Sequence, residues 1–351
     1  MLEDLSAGER PNVRYAGKGM AFPYWSETMG RIEAIWTHVP PDYDPTKGYQ
    51  VFMYYKCGGG IHNKNGRAAG GYRPTADMAN QTDTFHCWSS LNIQIKGRMG
   101  GHIELSEAMD ALCREFSVDR DRVFLTGWSD GGFTAVWLAS HYPHLVTGIA
   151  PACGNWQYAN VEYLGLTNLP TLHVDGWFDG GYNNISFARW QMLRSDKADT
   201  SCIWGQHGHS YQPYEDVDEF KYILDWARKY RRDLHPKRVR YATWNLAWHQ
   251  AYWASIERMI DPLLACQIDL EVKPNNRIVG RAWNVAELKL SLCNALVDKS
   301  RPITVIIKGS EDYAAPARAE LDLEIDERPQ ASFVKDAAMS DEITAVTVGS
   351  S

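Results

Sequence analysis

RVFLTGWSDGGFTAVWLASHY, residues 122–142, decides the fold. RVFLT (122–126) reads as a short strand, and FTAVWLASHY (133–142) has the apolar spacing of a helix. Between them, Gly127-Trp128-Ser129-Asp130-Gly131-Gly132 turns too tightly for ordinary residues. Strand, glycine turn, helix is the setting in which G-x-S-x-G presents a serine as a nucleophile on a strained elbow. The glycines two before and two after Ser129 leave room for strand and helix to pack. The backbone N–H of Asp130, the next residue, then points toward an oxyanion.

The same alternation recurs on both sides. RIEAIWTHVPPDYDP (31–45) reads as a strand ending in a proline turn, and YQVFMYYKCGGG (49–60) as a buried strand entering a glycine loop. Residues 61–101 are loop-like, with a candidate strand at Leu91–Ile95. Leu105, Ala108, Met109, Leu112 and Phe116 are spaced for a helix over Glu104–Phe116, followed by a turn at Asp119–Asp121. LVTGIAP (145–151), PTLHVDGWFDGG (170–181) and TSCIW (200–204) read as strands, with a helix at Ile185–Ser195. EDVDEFKYILDWARKY (215–230) is amphipathic, with Val217, Phe220, Ile223, Leu224 and Ala227 on one face. Alternating strands and helices predict an α/β fold, a mostly parallel sheet flanked by helices. Right-handed crossovers place the strand-to-loop ends on one edge, where every candidate catalytic residue falls.

Beyond Arg232 the period changes. Cys266, Ile268, Leu270 and Val272 alternate with polar residues, as do Leu288, Leu290 and Leu292. RPITVIIKG (301–309) and AELDLEI (319–325) add two strands. The expected division is a catalytic domain over 1–233 and a β-rich, sandwich-like domain over 234–351. From Glu311 onward ten acidic residues face three basic ones, which accounts for the chain's net charge of −7 and makes an acidic tail.

A serine hydroxyl needs a base, and the base needs an orienting carboxylate. HVDGWFDGG offers Asp175, still close to its strand, and Asp179, in the loop beyond; loop placement favours Asp179. GQHGHSY offers His207 and His209, and reach to the elbow favours His209. A second oxyanion donor is expected from Gly58 or Gly59. The H-x-H pair lacks an H-E-x-x-H companion, so no metal and no cofactor are expected.

Composition bounds the partners. The negative balance argues against nucleic acid. No apolar run is long enough for a membrane-spanning helix. The opening residues lack the basic-then-apolar pattern of a signal peptide, which leaves location open. Seven cysteines form no C-x-x-C pair, and their odd number leaves at least one free thiol. Oligomeric state is not legible.

With these residues assembled, the chain resembles the polyhydroxyalkanoate depolymerase and feruloyl-esterase branch of the α/β-hydrolases. It is also similar to the catalytic domain of prolyl oligopeptidases. HVPPDYDP (38–45), YQVFMYYKCGGG (49–60), DRVFLTGWSDGGF (121–133), GIAPACGNW (148–156), LHVDGWFDGG (172–181) and GQHGHSY (205–211) carry the resemblance over about residues 30–232. It implies the α/β-hydrolase fold, with Ser129 as nucleophile, Asp179 as acid and His209, in GHSY, as base. Such families usually carry His-Gly before the oxyanion glycines, where this chain has Lys56-Cys57. Arg238–Gly309 resembles β-rich extensions of some bacterial hydrolases.

Trp128 adjoins the nucleophile, Trp156 follows a strand end and Trp177 precedes the acid; Trp88 and Trp204 are further candidates. Aromatic walls suit an aryl or apolar acyl group, or a sugar. The expected reaction is hydrolysis of a small-molecule or polymeric ester through an acyl-enzyme. The rivals are a serine peptidase with the same triad and a non-catalytic binding protein that keeps the fold.

Overall fold

The computed structural model describes residues 13–27, 30–55, 74, 76–89, 101–154, 162–180, 186, 190–210, 213, 216–310, 319–325, 331–334 and 345–350. The chain divides into two compact units. One comprises Met1–Ala139, Leu145–Tyr158 and Leu169–Arg232; the other comprises Ser140–His144, Ala159–Asn168 and Asp233–Ser351.

The first unit is built on an eight-stranded sheet of β1 (Gly19–Ser26), β2 (Arg31–His38), β3 (Tyr49–Tyr55), β4 (Thr84–Ser89), β5 (Val118–Trp128), β6 (Gly148–Ala152), β7 (Thr171–Gly176) and β8 (Thr200–Gly205). The spatial order is β1-β2-β4-β3-β5-β6-β7-β8. β2 runs antiparallel to both its neighbours, and the strands from β4 to β8 are parallel. Central strands in such a sheet are covered on both faces, and every residue of β3 is accordingly buried. Helices α1 (Gly101–Glu115), α2 (Asp130–His141) and α3 (Val217–Ala227) lie in the connections. Residues 190–195 are also helical. The expected strand Leu91–Ile95 lies outside the described residues. No helix among the described residues is long and apolar enough to cross a membrane.

Helix α3 shows how the pattern becomes packing. Asp216 caps it by accepting hydrogen bonds from the N–H groups of Asp218 and Glu219, a cap of about 1 kcal/mol. Phe220, Ile223, Leu224, Trp226 and Ala227 are buried against a cluster that includes Phe52, Tyr54 and Phe124. Full burial of each large side chain contributes roughly 1.5–3 kcal/mol. The predicted stripe is one turn too long, because Val217 is 56% exposed. Side chains on a helix lean back over the preceding turn, and the first helical residue has none to cover.

Two further expectations change. Asp119–Asp121 is not a turn between elements but part of β5. Pairing with β3 jumps from Tyr49↔Val118 to Val51↔Val123, so the strand bulges there. The Asp121 N–H donates to the Asp119 carboxylate at 3.0 Å, which gives the bulge its turn-like sequence. LVTGIAP becomes strand only at Gly148, after a 3-10 turn over Pro143–Leu145.

The second unit holds two five-stranded sheets. One has the order β10 (Gln250–Ala251), β11 (Ala254–Met259), β14 (Val285–Leu292), β18 (Ala345–Ser350), β17 (Ala331–Val334). The other runs β16 (Ala319–Ile325), β15 (Ile303–Ser310), β13 (Arg277–Trp283), β12 (Cys266–Lys273), β9 (Arg238–Thr243). Cys266, Ile268 and Leu270 from one sheet share a core with Ile256, Leu288 and Leu290 from the other, as the alternation predicted. Val272 is only partly buried. The unit also takes in chain from far upstream. The Tyr241 hydroxyl lies between the Trp248 carbonyl at 2.6 Å and the His141 carbonyl at 2.9 Å, and the Tyr252 hydroxyl donates to the Pro143 carbonyl at 3.0 Å. The Asn168 side chain brackets the backbone of Arg240, accepting its N–H at 2.9 Å and donating to its carbonyl at 2.7 Å.

Asn284 pins one corner of this sandwich. It is buried, with φ of 54°, in the left-handed region that asparagine tolerates better than most residues. Its amide donates to the carbonyls of Asp261 and Leu264, each at 2.8 Å, and accepts the Asp261 N–H at 2.8 Å. Asn284→Ala removes these bonds and keeps the strained backbone. It should lower stability by about 2–4 kcal/mol, measured as a shifted urea midpoint.

Candidate active site

Ser129 stands between β5 and α2 with φ of 54°. A non-glycine residue is held there only when its surroundings fix it. Its N–H donates to the Ala152 carbonyl at 2.9 Å, and its own carbonyl accepts the Phe133 N–H at 2.9 Å, which starts the helix. At Gly127, with φ of 159°, a β-carbon would lie 2.6 Å from the carbonyl carbon of Gly131 and 2.8 Å from the Tyr55 oxygen. At Gly132 it would lie 2.8 Å from the Cα of Gly154. The steric demand on the helix side thus falls on the second glycine of the pair as well. The N–H groups at the start of α2, among them that of Asp130, have no partner earlier in the helix and favour negative charge.

The loops after β7 and β8 are stitched to each other by backbone. Trp177 N–H donates to the Gly205 carbonyl at 2.9 Å, and Phe178 N–H to the His207 carbonyl at 3.0 Å. These bonds extend the pairing of β7 with β8 and hold Asp179 and His209 side by side. His209 Nδ1 lies 2.8 Å from Asp179 Oδ1 and 3.0 Å from Oδ2; its Nε2 lies 2.9 Å from Ser129 Oγ. An ionised carboxylate has no hydrogen to give, so Nδ1 carries the proton and Nε2 is free to accept from the serine hydroxyl. Asp179 is buried, whereas the His209 side chain is 31% exposed. The indole of Trp128 lies against the imidazole, with ring centroids 4.4 Å apart.

The competing acid and base are elsewhere. His207 is buried, its Nδ1 2.8 Å from the Gly208 carbonyl and its Nε2 3.5 Å from Glu219 Oε2. Burial raises the Glu219 carboxyl above the usual range, with Asp216 adding to this and His207 opposing it. Asp175 is buried on β7 and accepts from the Ser186 hydroxyl at 3.1 Å. Burial, opposed by that bond and reinforced by the Asp179 charge, raises its carboxyl to about 7.

Cys153, which no motif marks, lies close to Asp179. Its thiol is buried, and its sulfur lies with the Asp179 oxygen and the His209 nitrogen in a group whose members are all within 4.8 Å of one another. The spacing is that of a hydrogen-bonded chain, with Nδ1 already committed to the carboxylate. Burial, together with the charges of Asp175 and Asp179, pushes the thiol up and keeps it protonated. The six cysteines among the described residues are all free.

Trp177 and Phe178, directly before the acid, are 54% and 71% exposed. Trp177 stacks on Trp204 with centroids 5.2 Å apart. Phe178 carried no signal of its own in the sequence beyond its place beside Asp179. Trp88 stacks instead on Trp36, its register partner in β2. Gly58, Gly59 and Trp156 lie outside the described residues. A cavity of about 410 Å³, lined by Arg14, Phe22, Tyr24, Ala111, Arg114 and Phe116, contains none of the three bonded residues.

The raised Asp175 carboxyl has a thermodynamic signature. A buried acid whose folded value lies above its unfolded one favours folding below the unfolded value, and that stability is lost as pH rises through the folded one. Relative to Asp175→Asn, the wild type should lose stability between about pH 4 and pH 7. At about 1.4 kcal/mol per unit, the loss is at most about 4 kcal/mol, read from urea midpoints at pH 4.5 and pH 7.5.

Residues 96–207 match the prolyl oligopeptidase family, a span that includes Ser129 and Asp179 and ends two residues before His209. The chain is 30% identical over 162 residues to dipeptidyl-peptidase 5 of Porphyromonas gingivalis, covering 41% of this chain and 23% of that protein. It therefore spans under a quarter of the length of that relative. Solved structures of similar fold include a Staphylococcus aureus fluorophosphonate-binding serine hydrolase, at 16% identity and a TM-score of 0.47, covering 60% of this chain and 97% of that one. Another is the Pyrococcus horikoshii acylaminoacyl peptidase, at 12% identity and a TM-score of 0.45, covering 61% and 41%. The chain has an α/β-hydrolase-type fold and is similar, over residues 96–207, to the prolyl oligopeptidase family.

Proposed function

We propose that this chain is a serine hydrolase that cleaves carboxylic esters through an acyl-enzyme on Ser129. The observation that carries the reading is the continuous chain of hydrogen-bond distances, 2.9 Å from Ser129 Oγ to His209 Nε2 and 2.8 Å from His209 Nδ1 to Asp179. Ser129 Oγ attacks the acyl carbonyl while His209 Nε2 takes its proton. Asp179 holds the imidazole in that tautomer and stabilises the imidazolium. The Asp130 N–H, at the start of α2, faces the negative charge that develops on the carbonyl oxygen. His209 then protonates the departing alcohol. In the second half, water attacks the acyl-enzyme, His209 takes its proton, and the acid leaves as Ser129 regains its hydrogen.

The surroundings bear on the substrate. Trp177 and Phe178 offer exposed aromatic surface on the acid loop, and Trp128 walls the base. Such surface suits an aryl or extended apolar ester, small or polymeric. A peptidase reading is favoured by a different observation, the similarity to the prolyl oligopeptidase family and to a dipeptidyl-peptidase. The same three residues serve either bond.

Wild type should turn over a series of 4-nitrophenyl esters and react with a fluorophosphonate probe. Ser129→Ala should lose at least about 10⁴-fold in kcat/KM and all labelling while folding normally. Retention of activity in that variant would remove Ser129 from the reaction. The same preparations assayed on peptide amides separate the two readings: preference for the amide series would replace the esterase assignment with the peptidase one.

A further inference from the structure

The backbone of Cys153 is held in an uncommon conformation for a reason visible in its neighbours. Its φ is 44°, left-handed, in a residue other than glycine. It follows β6 directly; its N–H donates to the Val174 carbonyl at 2.8 Å, and the next residue, Gly154, is the one packed on Gly132 of the elbow. The residue is wholly buried; its thiol donates to the Ser210 carbonyl at 3.9 Å, and its sulfur lies within 4.8 Å of an Asp179 carboxylate oxygen. Asp179 belongs to the acid loop and Ser210 follows the base. One thiol therefore touches both loops from below, at the end of the strand whose Ala152 carbonyl accepts the Ser129 N–H.

We propose that Cys153 is a positioning residue for the reaction, its thiol donating to the Asp179 carboxylate and fixing the plane in which that carboxylate meets His209. This rests on the reading of Ser129, His209 and Asp179 as the catalytic chain. A buried carboxylate has more acceptor positions than one imidazole N–H can fill, and those left empty are costly. A hydrogen bond to an ionised acceptor is stronger than a neutral one, which favours rotation of the thiol hydrogen from the Ser210 carbonyl toward the carboxylate. Strain at a functional position persists where the surroundings over-determine it, and here it aims the thiol. The charged and titratable groups facing this point are Asp179, His209 and Asp175 on β7. His207, on the same loop as the base, is turned to Glu219 on α3.

The test compares full-length wild type, Cys153→Ser, Cys153→Ala and Cys153→Gly. Serine keeps a donor. Alanine and glycine remove it, and glycine also relieves the positive φ, so a folded donor-free variant is available should alanine fold poorly. The first readout needs no substrate: the low-field NMR signal of the His209 Nδ1 proton, assigned by its loss in His209→Gln. It should move in both donor-free variants, as negative charge concentrates on the carboxylate edge facing the imidazole, and return in Cys153→Ser. The second is turnover of 4-nitrophenyl acetate. The donor-free variants should lose about fivefold to tenfold in kcat with KM within about twofold, and serine should recover most of it. An unmoved proton signal in all variants would overturn the proposal. So would a serine variant that behaves like alanine, since the thiol would then act by volume. Failure of wild type to turn over any ester would strike the hydrolase reading, while the proton signal would still decide the thiol's role.

Discussion

Gly132 and Gly154 approach each other so closely that a β-carbon on either would lie 2.8 Å from the Cα of the other. Much of the site follows from that contact. It lets α2 begin directly against the end of β6, which lets the Ala152 carbonyl take the Ser129 N–H. That bond helps hold Ser129 in the left-handed region, with its hydroxyl above the sheet edge. The same approach fixes the chain leaving β6, and so the position of Cys153. A side chain at either glycine would push helix and strand apart by more than a hydrogen bond can stretch.

Asp179 and His209 are placed by a different device. Their loops continue the pairing of β7 with β8 for two more backbone bonds, from Trp177 and Phe178, before the chains part. Rigidity there comes from the sheet, and little is asked of loop conformation. This explains how Asp179 is buried while His209, its bonded partner, stays partly open. A base needs access to substrate and solvent, and an orienting acid needs neither.

The elbow, the chain order of Ser129, Asp179 and His209, and the alternating strands β12 and β14 were legible because each is written in local pattern. Loop placement favoured Asp179 over Asp175 and reach favoured His209 over His207, and these two are the residues linked to Ser129 by hydrogen-bond distances. Other features depend on what meets what. The bulge in β5 reads as a turn, because Asp119–Asp121 makes a turn-like bond inside a strand. β1 carries a glycine and a proline, and β13 an interior glycine followed by an arginine, so neither shows a clean period. Val217 continues a helical stripe that the helix terminus cuts short. Cys153 belongs to the same class: nothing in GIAPACGNW marks a left-handed cysteine, and its partners come from loops 26 and 57 residues away.

The hydroxyls of Tyr241 and Tyr252 come within hydrogen-bond reach of carbonyls 100 and 109 residues upstream, at His141 and Pro143. Ser140–His144 and Ala159–Asn168 thus belong to a unit that is otherwise made last. On a ribosome these short segments emerge before β7, β8 and α3, and well before the tyrosines that reach them. The order of synthesis and the order of folding cannot coincide for this chain, and contacts of such separation form slowly. Neither unit is therefore a cassette that can be cut at one peptide bond and moved to another protein, and a shuffled or truncated version would inherit a gap in its middle rather than at its end.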